Sequence, residues 1–234
     1  VYILQSMFVI NNELVSNGDF ENGNSGFTSG LLYSTNVCPP YYGYYVINNS
    51  TQASYFCNCT HNGYFMIADG STSPTITYQT TVTVDPYSYY AFSCEATNIN
   101  SDPSFQPSWR SILQFSINNN LIGSPFYTTS QCCDWHTFYQ IVTSGNTNNL
   151  TISIKNLNTS WEGNDFALDN ISFKKLCVAY DTIHITVLPP NSCQIHIIPN
   201  DTTIHSSSPV QVQLNTDVQA DYYAWKPNNN ITDT

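Results

Sequence analysis

The sequence predicts an all-β protein, a two-sheet β-sandwich followed by a smaller and incomplete one. Tyr (17 residues) and Phe (12 residues) supply much of its apolar character, and aromatic side chains favour pleated, half-buried surfaces. Charged residues make up only 9% of the chain, too few for the Glu/Lys pairs that stabilise exposed helices. Short apolar runs also alternate with clusters of Asn, Gly, Pro and Ser, as strands alternate with turns.

The strand-like runs follow one another at the spacing typical of a sandwich. They cover residues 44–47, 64–68, 75–84, 89–96, 111–117, 138–142, 150–154 and 166–173. Such short strands, each bounded by turn residues, predict two packed sheets. An apolar segment of strand length precedes them at residues 1–10.

The pattern of apolar and polar residues changes after Cys177. Residues 181–188 alternate between apolar and polar side chains until Pro189 and Pro190, and further runs occupy residues 194–198, 210–214 and 222–225. These runs predict a second, immunoglobulin-like sandwich, but residues 177–234 are fewer than the about 100 that such a domain takes. We therefore divide the chain into an N-terminal strand (1–12), a main sandwich (13–176) and a partial domain (177–234).

Charge excludes two classes of partner. The chain has sixteen acidic and five basic residues, so its formal net charge is −11, and the basic residues are scattered along the sequence. Nucleic acids and anionic membranes need a clustered basic face, so neither is an expected partner. No apolar run reaches the about 20 residues that span a bilayer, so we expect no membrane insertion.

Eight cysteines indicate export, because an even number of cysteines in an Asn- and Thr-rich chain is typical of disulfides. Zinc is the alternative, since Cys57, Cys59 and His61 lie close together, but their gaps are shorter than those of zinc knuckles. Neighbouring Cys132 and Cys133 point to opposite faces if extended, so they should have different partners. We expect an extracellular or outer-surface location.

Four ordered motifs resemble those of one family. Residues 13–27 (ELVSNGDFENGNSGF) resemble the opening, and residues 163–173 (GNDFALDNISF) the final strand, of carbohydrate-binding-module-like, galactose-binding-like jelly rolls. Residues 63–70 and 113–118 lie between these two segments. They resemble two further motifs of the family in order and spacing. Such domains occur with immunoglobulin-like repeats in surface proteins of gliding Bacteroidetes, and the tail resembles such a repeat. The resemblance implies a jelly-roll fold and no catalysis.

The resemblance also implies a structural calcium ion where the first and last strands meet. Carboxylates at the matching positions are Glu21, with Asp19 nearby, and Asp169. Calcium takes six to eight oxygen ligands, which carboxylates and turn carbonyls supply. The alternative is that Asp19 and Asp169 cap turns.

Sugar binding needs exposed aromatic side chains flanked by hydrogen-bonding groups. The carbohydrate-binding candidates are Tyr42, Tyr44, Trp109 and Trp161, with Tyr41 and Tyr45 beside them. Trp135, which closely follows Cys132 and Cys133, is expected in the core. Catalysis has less support. Asp165 and Asp169 share one face of a strand, as an acid and base pair would, but they also belong to the closing jelly-roll motif.

Glycosylation of the chain itself is a separate expectation. Asn-x-Ser/Thr sequons begin at the candidate residues Asn49, Asn58, Asn149, Asn158, Asn170, Asn200 and Asn230. Thr182 and Thr202 follow Asp in pairs that resemble the O-glycosylation motif of Bacteroidetes.

The chain ends predict assembly. An apolar first segment and a tail lacking its closing strand are the two halves of a strand-exchange joint, with Val1, Ile3, Phe8 and Ile10 as donor residues. Head-to-tail pairing that does not close builds a filament. The alternative is a fragment with arbitrary ends. The sequence thus predicts a non-catalytic extracellular structural or adhesive protein that binds copies of itself, or alternatively a carbohydrate-binding module that binds polysaccharide.

Overall fold

The computed structural model describes residues 2–39, 42–53, 55–102, 106–160, 162–183, 196–197, 202–203 and 222–227. These residues form strands and one turn of 3-10 helix at Pro107–Trp109, so none of them builds an apolar helix of membrane-spanning length. The strands are β1 (Tyr2–Glu13), β2 (Leu32–Tyr33), β3 (Tyr44–Asn48), β4 (Phe65–Asp69), β5 (Thr75–Thr83), β6 (Tyr89–Asn98), β7 (Ile112–Ile117), β8 (Asn120–Leu121), β9 (Phe126–Tyr127), β10 (His136–Thr143), β11 (Asn149–Asn156), β12 (Asp165–Ile183), β13 (His196–Ile197), β14 (Thr202–Thr203) and β15 (Tyr222–Pro227). The predicted all-β class is confirmed.

The chain separates into two compact units. The sandwich unit is Asn11–Lys175, and the tail unit combines Val1–Ile10 with Leu176–Thr234. The sandwich unit contains most of the described residues, and the immunoglobulin-like prediction falls largely on residues outside the described ranges.

Two sheets form the sandwich unit. The larger sheet has the strand order β10-β6-β12-β4-β3-β2, and the smaller has the order β5-β11-β7-β8, with β9 also paired to β7. Pairing is antiparallel between β10 and β6, β12 and β4, and β4 and β3, whereas β2 joins β3 in parallel. The predicted two-sheet sandwich is therefore confirmed.

The main core lies between the sheets. Alternate residues of each strand enter it, including Phe92 and Cys94 of β6 and Phe166 and Leu168 of β12. Aromatic rings meet across the two sheets, with Phe92 of β6 4.3 Å from Phe115 of β7 between ring centroids. Aromatic residues therefore supply a large part of this core.

A second apolar cluster lies on the opposite face of the larger sheet. Tyr44 and Val46 of β3, Phe65 and Ile67 of β4 and Ala167 of β12 turn away from the main core, as strand alternation requires. They pack under residues 53, 55–59 and 132–135, which we call the cap. The second cluster explains why every residue of β4 is buried.

Two disulfides hold the cap together. Cys57 is bonded to Cys132, and Cys59 to Cys133, so the neighbouring cysteines have different partners as predicted. Disulfides are confirmed for these four residues, and zinc binding by Cys57, Cys59 and His61 is wrong because both thiols are bonded to sulfur. Cys38, Cys94 and Cys177 carry free thiols, and Cys193 lies outside the described residues.

In the tail unit, the first strand is already paired. Tyr2–Met7 of β1 runs antiparallel to β15 of the same chain, with Ile3 opposite Lys226. Phe8 is half-buried, Ile10 is 44% exposed, and Val1 lies outside the described residues. The expectation of an unpaired donor segment is corrected, because the first strand pairs with β15 of its own chain.

Candidate functional site

A polar cleft lies on the open part of the larger sheet, beyond the cap. It has a volume of about 490 Å³ and is bounded by strands β6, β10 and β12 and the segment 13–19. Its lining residues are Glu13, Val15, Asn17, Gly18, Asp19, Ser93, Glu95, Thr137, Asn170, Ile171, Ser172 and Lys174. Ser93 and Glu95 face it because their neighbours Phe92 and Cys94 enter the main core.

An extra residue in β12 shapes one wall of the cleft. Core positions in this strand are Phe166, Leu168, Ile171 and Phe173, so the spacing of two is interrupted once. Asn170 fills the interruption with a left-handed φ of 49°, the pattern of a β-bulge. The bulge turns an additional polar side chain to the outer face, and Asn170 Nδ2 donates a hydrogen bond of 2.9 Å to Glu95.

Glu13 forms the opposite wall and ties the start of the sandwich to its last strand. Its carboxylate accepts hydrogen bonds from the Phe173 and Val15 N–H groups and from the Ser172 hydroxyl, at 2.6–3.0 Å. The Lys174 ammonium lies 3.8 Å from it. These contacts fix Glu13, so the cleft has one rigid acidic wall.

Gly18 allows the segment 13–19 to approach β12. The Ile171 N–H donates to the Gly18 carbonyl at 2.9 Å, and a Cβ at position 18 would lie only 1.8 Å from the Ile171 carbonyl oxygen. A larger residue at position 18 would therefore displace this wall of the cleft.

A histidine connects the cleft to the cap. His61 Nε2 lies 3.2 Å from Glu95 Oε2, and His61 Nδ1 lies 2.6 Å from Asp169 Oδ2. The imidazole also packs against the Trp135 ring of the cap, with ring centroids 4.1 Å apart and the planes tilted by 36°. Burial raises the pKa of the Asp169 carboxyl to about 6, although its hydrogen bond to His61 acts in the opposite direction. We call His61, Glu95 and Asp169 the bridging triad.

A second pair of carboxylates lies at the end of β4 and β12. Asp69 and Asp165 are direct partners in the strand register, and both are buried. Burial, and then the charge of Asp165, raise the pKa of Asp69 to about 7. Burial also raises the pKa of Asp165 to about 6, against a hydrogen bond from Asn100. The predicted acid and base pair of Asp165 and Asp169 is thus divided between two different networks.

The residues predicted to bind calcium meet at one turn but do not converge on one point. Glu21 Oε1 accepts the Tyr64 N–H at 2.7 Å, and Asp169 contacts His61 in the same turn. Asp19 is exposed and accepts the Glu21 N–H at 3.4 Å. Calcium binding at these residues stays a prediction. The described residues hold one group of three metal-type ligand atoms, on the disulfide cysteines Cys59, Cys132 and Cys133.

The predicted aromatic platforms lie away from the cleft. Tyr44 is fully buried under the cap and its hydroxyl donates to the Val37 carbonyl, so its assignment as an exposed platform is wrong. Tyr42 is 64% exposed and Trp109 is half-buried, and neither lines the cleft. Trp161 lies outside the described residues.

The glycosylation candidates differ in their exposure to solvent. Asn49, Asn58, Asn149 and Asn170 are exposed. Asn158 is buried, and its Nδ2 donates to the Ser108 and Arg110 carbonyls, so modification of this amide in the folded protein is contradicted. Thr182 and Thr202 lie in β12 and β14, whereas Asn200 and Asn230 are outside the described residues.

Sequence reasoning missed most of the cleft. Its strands are distant in the chain and become neighbours only through the order β10-β6-β12. One signal was available: Glu95 is the only charged residue in the otherwise apolar and small run 89–96. A carboxylate there marks the face that stays open to solvent.

Comparison with known proteins gives the fold. No protein-family model and no curated protein matches the chain. Among solved structures, the chain is similar to the Stig cyclase Fisc from Fischerella sp. TAU, with 11% identity, a TM-score of 0.51, and coverage of 73% of this chain and 98% of that one. It is also similar to the CBM22-1 xylan-binding domain of Paenibacillus barcinonensis Xyn10C (12% identity, TM-score 0.46, 70% and 94% covered) and to TmCBM61 in complex with β-1,4-galactotriose (11%, 0.44, 73% and 100%).

At such identities the likeness concerns the fold alone. Any function therefore has to be argued from the cleft.

Proposed function

We propose that the sandwich unit is a non-catalytic carbohydrate-binding domain of an extracellular protein, and that sugar binds in the polar cleft. The observation that carries this proposal is the combination of lining groups with an exposed ring beside them. Tyr139 of β10 is 52% exposed and lies opposite Ser93 in the strand register. A pyranose has a polar rim and an apolar face, so it needs both kinds of contact.

The cleft offers both hydrogen-bonding roles to sugar hydroxyls. The Glu95 carboxylate accepts, the Asn170 amide and the Lys174 ammonium donate, and the hydroxyls of Ser93 and Thr137 do either. Since each sugar hydroxyl both donates and accepts, this mixture suits a carbohydrate.

Charge selects the class of sugar. Glu13, Asp19 and Glu95 line the cleft against one cation, Lys174, and the whole chain has a formal net charge of −11. A polymer of uronic acids would bring like charges together. We therefore propose a neutral polysaccharide as the ligand.

Burial supports a non-catalytic role. Asp165 and Asp169, the acid and base pair considered from the sequence, are 8% and 1% exposed. Asp165 accepts from Asn100, and Asp169 contacts His61. A scissile bond would have no open route to both carboxylates, whereas the cleft accepts a chain from solvent.

The test is calorimetric titration with neutral β-1,4-linked hexasaccharides of glucose, xylose and galactose, with hexagalacturonate as the acidic counterpart. We expect a neutral hexasaccharide to bind, and Glu95→Gln and Tyr139→Ala each to weaken binding about tenfold, equal to about 1.4 kcal/mol. Tyr87→Ala, which removes a 73% exposed ring outside the cleft, is the matched control. Absence of binding by every neutral sugar, or an equal loss in the control variant, would contradict the proposal.

Assembly is a second candidate function, favoured by the pairing of β1 with β15. A strand that completes the tail unit of its own chain can make the same backbone hydrogen bonds to another copy, which is domain swapping. Head-to-tail exchange would then build a structural or adhesive filament. Light scattering decides the matter: we expect high-mass species that disappear when residues 1–10 are deleted, and assembly that survives the deletion would exclude strand exchange.

A further inference from the structure

The two disulfides of the cap lie close together. The sulfur atoms of Cys59, Cys132 and Cys133 are all within 4.8 Å of one another. Cys132 is bonded to Cys57, so its sulfur belongs to one bridge and lies beside both sulfur atoms of the other. Disulfides exchange when a thiolate attacks one of their sulfur atoms directly. A thiolate formed at Cys132 would therefore have the second bridge close at hand.

Cys57 carries the outer sulfur of this cluster. It lies outside the group of three close sulfur atoms and is half-buried, and the next residue, Asn58, is exposed. Cys59 is only 1% exposed, and the Cys132 sulfur has the other bridge beside it. Access decides which sulfur of a disulfide an external thiolate attacks. A small thiol from solvent therefore attacks Cys57 and releases the Cys132 thiolate.

The released Cys132 thiolate has two neighbouring sulfur atoms to attack. A bond to Cys133 would join adjacent residues, whose Cα atoms are about 3.8 Å apart, whereas disulfides usually join Cα atoms about 4.4–6.8 Å apart. Cys59 has no such restriction. Cys133 also has a φ of 60°, in the left-handed region that residues with a Cβ rarely adopt. Attack on Cys59 releases the Cys133 sulfur and allows this backbone strain to relax.

We propose that the cap is a site of reversible S-thiolation, where a low-molecular-weight thiol attaches to Cys57 and Cys132 relays the exchange to the second bridge. The external thiolate bonds to Cys57 as the Cys57–Cys132 bond breaks. The Cys132 thiolate then bonds to Cys59 as the Cys59–Cys133 bond breaks, and Cys133 takes up the proton that the external thiol lost. Two disulfide bonds exist before and after the exchange, so no oxidant or reductant is consumed.

The relay keeps the cap in place. Cys59 and Cys132 belong to the cap segments 55–59 and 132–135, so the new bridge still joins these two segments. The second apolar cluster beneath them stays covered, and the protein carries the thiol without unfolding. Two adjacent bridges make this possible, because a single bridge would be lost when a thiol attacked it. This property is independent of sugar binding.

The test is disulfide mapping of the folded protein after brief exposure to reduced glutathione. Free thiols such as Cys38 and Cys177 are first blocked with iodoacetamide, so that they cannot start the exchange. The reaction is then quenched with N-ethylmaleimide, which labels newly released thiols. Peptides are prepared without reduction, and their fragmentation in the mass spectrometer locates each bond and each label.

The parent protein should carry glutathione on Cys57, maleimide on Cys133 and a new Cys59–Cys132 bridge in the same molecules. Cys59→Ser/Cys133→Ser is the matched variant, because it keeps the Cys57–Cys132 bridge and lacks the target of the relay. Glutathione should still attach to Cys57 in this variant, and the maleimide label should move from Cys133 to Cys132.

Three results in the parent protein would overturn the proposal. Maleimide on Cys132 beside an intact Cys59–Cys133 bridge would show that no relay takes place. Glutathione on Cys132 would mean that the external thiol attacks the other sulfur. A folded protein that takes up no glutathione would have no thiolation site in the cap. The parent experiment decides by itself if the variant fails to fold.

Discussion

The outer face of the larger sheet has two regions that differ in polarity and in exposure to solvent. Over β3, β4 and part of β12, it is apolar and covered by the cap, so β4 is buried on both sides. Over β6 and β10, the same face is polar and open, and β10 keeps alternating exposed positions at Thr137 and Tyr139. One sheet thus provides both a second core and a candidate binding surface.

This difference shows how a small addition to a sandwich sets the position of a site. The cap closes one region, and His61, next to the disulfides, touches Glu95 of the other region. The position of the cleft is therefore determined by where the cap stops. Three predictions test this comparison.

Removing both cap disulfides should cause the largest loss in the free energy of unfolding. Each closes a loop between cysteines 74 or 75 residues apart, and the chain-entropy account gives about 4 kcal/mol for the first such crosslink. The second adds little, because it closes a loop of only a few residues once the first exists. We expect Cys57→Ser/Cys132→Ser to cost far less than replacement of all four cysteines, measured by urea unfolding.

Cys177→Ser is the control for this experiment, since Cys177 is an exposed free thiol. Equal losses in the two-cysteine and four-cysteine variants would contradict the account of two redundant crosslinks.

Truncation of an apolar side chain under the cap should lower the free energy of unfolding almost as much as loss of the disulfides. Ile67 is fully buried in the second cluster, so Ile67→Ala should lower the free energy of unfolding by about 3 kcal/mol. On the open region, Ser93→Ala should change it by less than about 0.5 kcal/mol. Chemical denaturation of the two variants compares the regions directly, and a small loss for Ile67→Ala would mean that the cap does not seal that face.

The smallest of the three effects depends on pH. Burial raises the pKa of Asp69 to about 7, above its value in the unfolded chain, so folding favours the protonated form. The contribution of Asp69 to stability is fully present below about pH 4 and is lost as the pH rises to about 7. Asp69→Asn should therefore stabilise the protein at pH 8, by about 2 kcal/mol, and not at pH 4.

Thermal unfolding at the two pH values measures this effect. Asp19→Asn, which changes an exposed carboxylate, should leave the difference between pH 4 and pH 8 unaltered. An Asp69→Asn variant that is no more stable than the parent at pH 8 would show that the pair carries no buried charge.

The strands could be predicted from local sequence because their signals are local. The run 89–96 corresponds to β6 (Tyr89–Asn98) and the run 150–154 to β11 (Asn149–Asn156), each delimited by turn residues. Two-residue strands such as Leu32–Tyr33 were missed, since they depend on a neighbour and not on their own composition. The separate cysteine partners followed from the geometry of adjacent residues.

The site could not be predicted in the same way. The sequence analysis named Tyr44 as a sugar platform, with Tyr45 beside it. The two residues occupy opposite faces of β3, and in an isolated sandwich one of them would be exposed. The cap buries Tyr44 instead, and no local sequence pattern shows where the cap folds. Glu95, Thr137 and Asn170 meet only through strand order, which is a property of the whole sheet.

The most direct test of the central claim is to map the bound sugar on the protein by NMR chemical-shift perturbation with the neutral hexasaccharide that binds. We predict the largest shifts at Ser93, Glu95, Thr137, Asn170 and Ser172, and none around Tyr42 and Trp109. Shifts concentrated at Tyr42 and Trp109, with an unchanged cleft, would contradict the account.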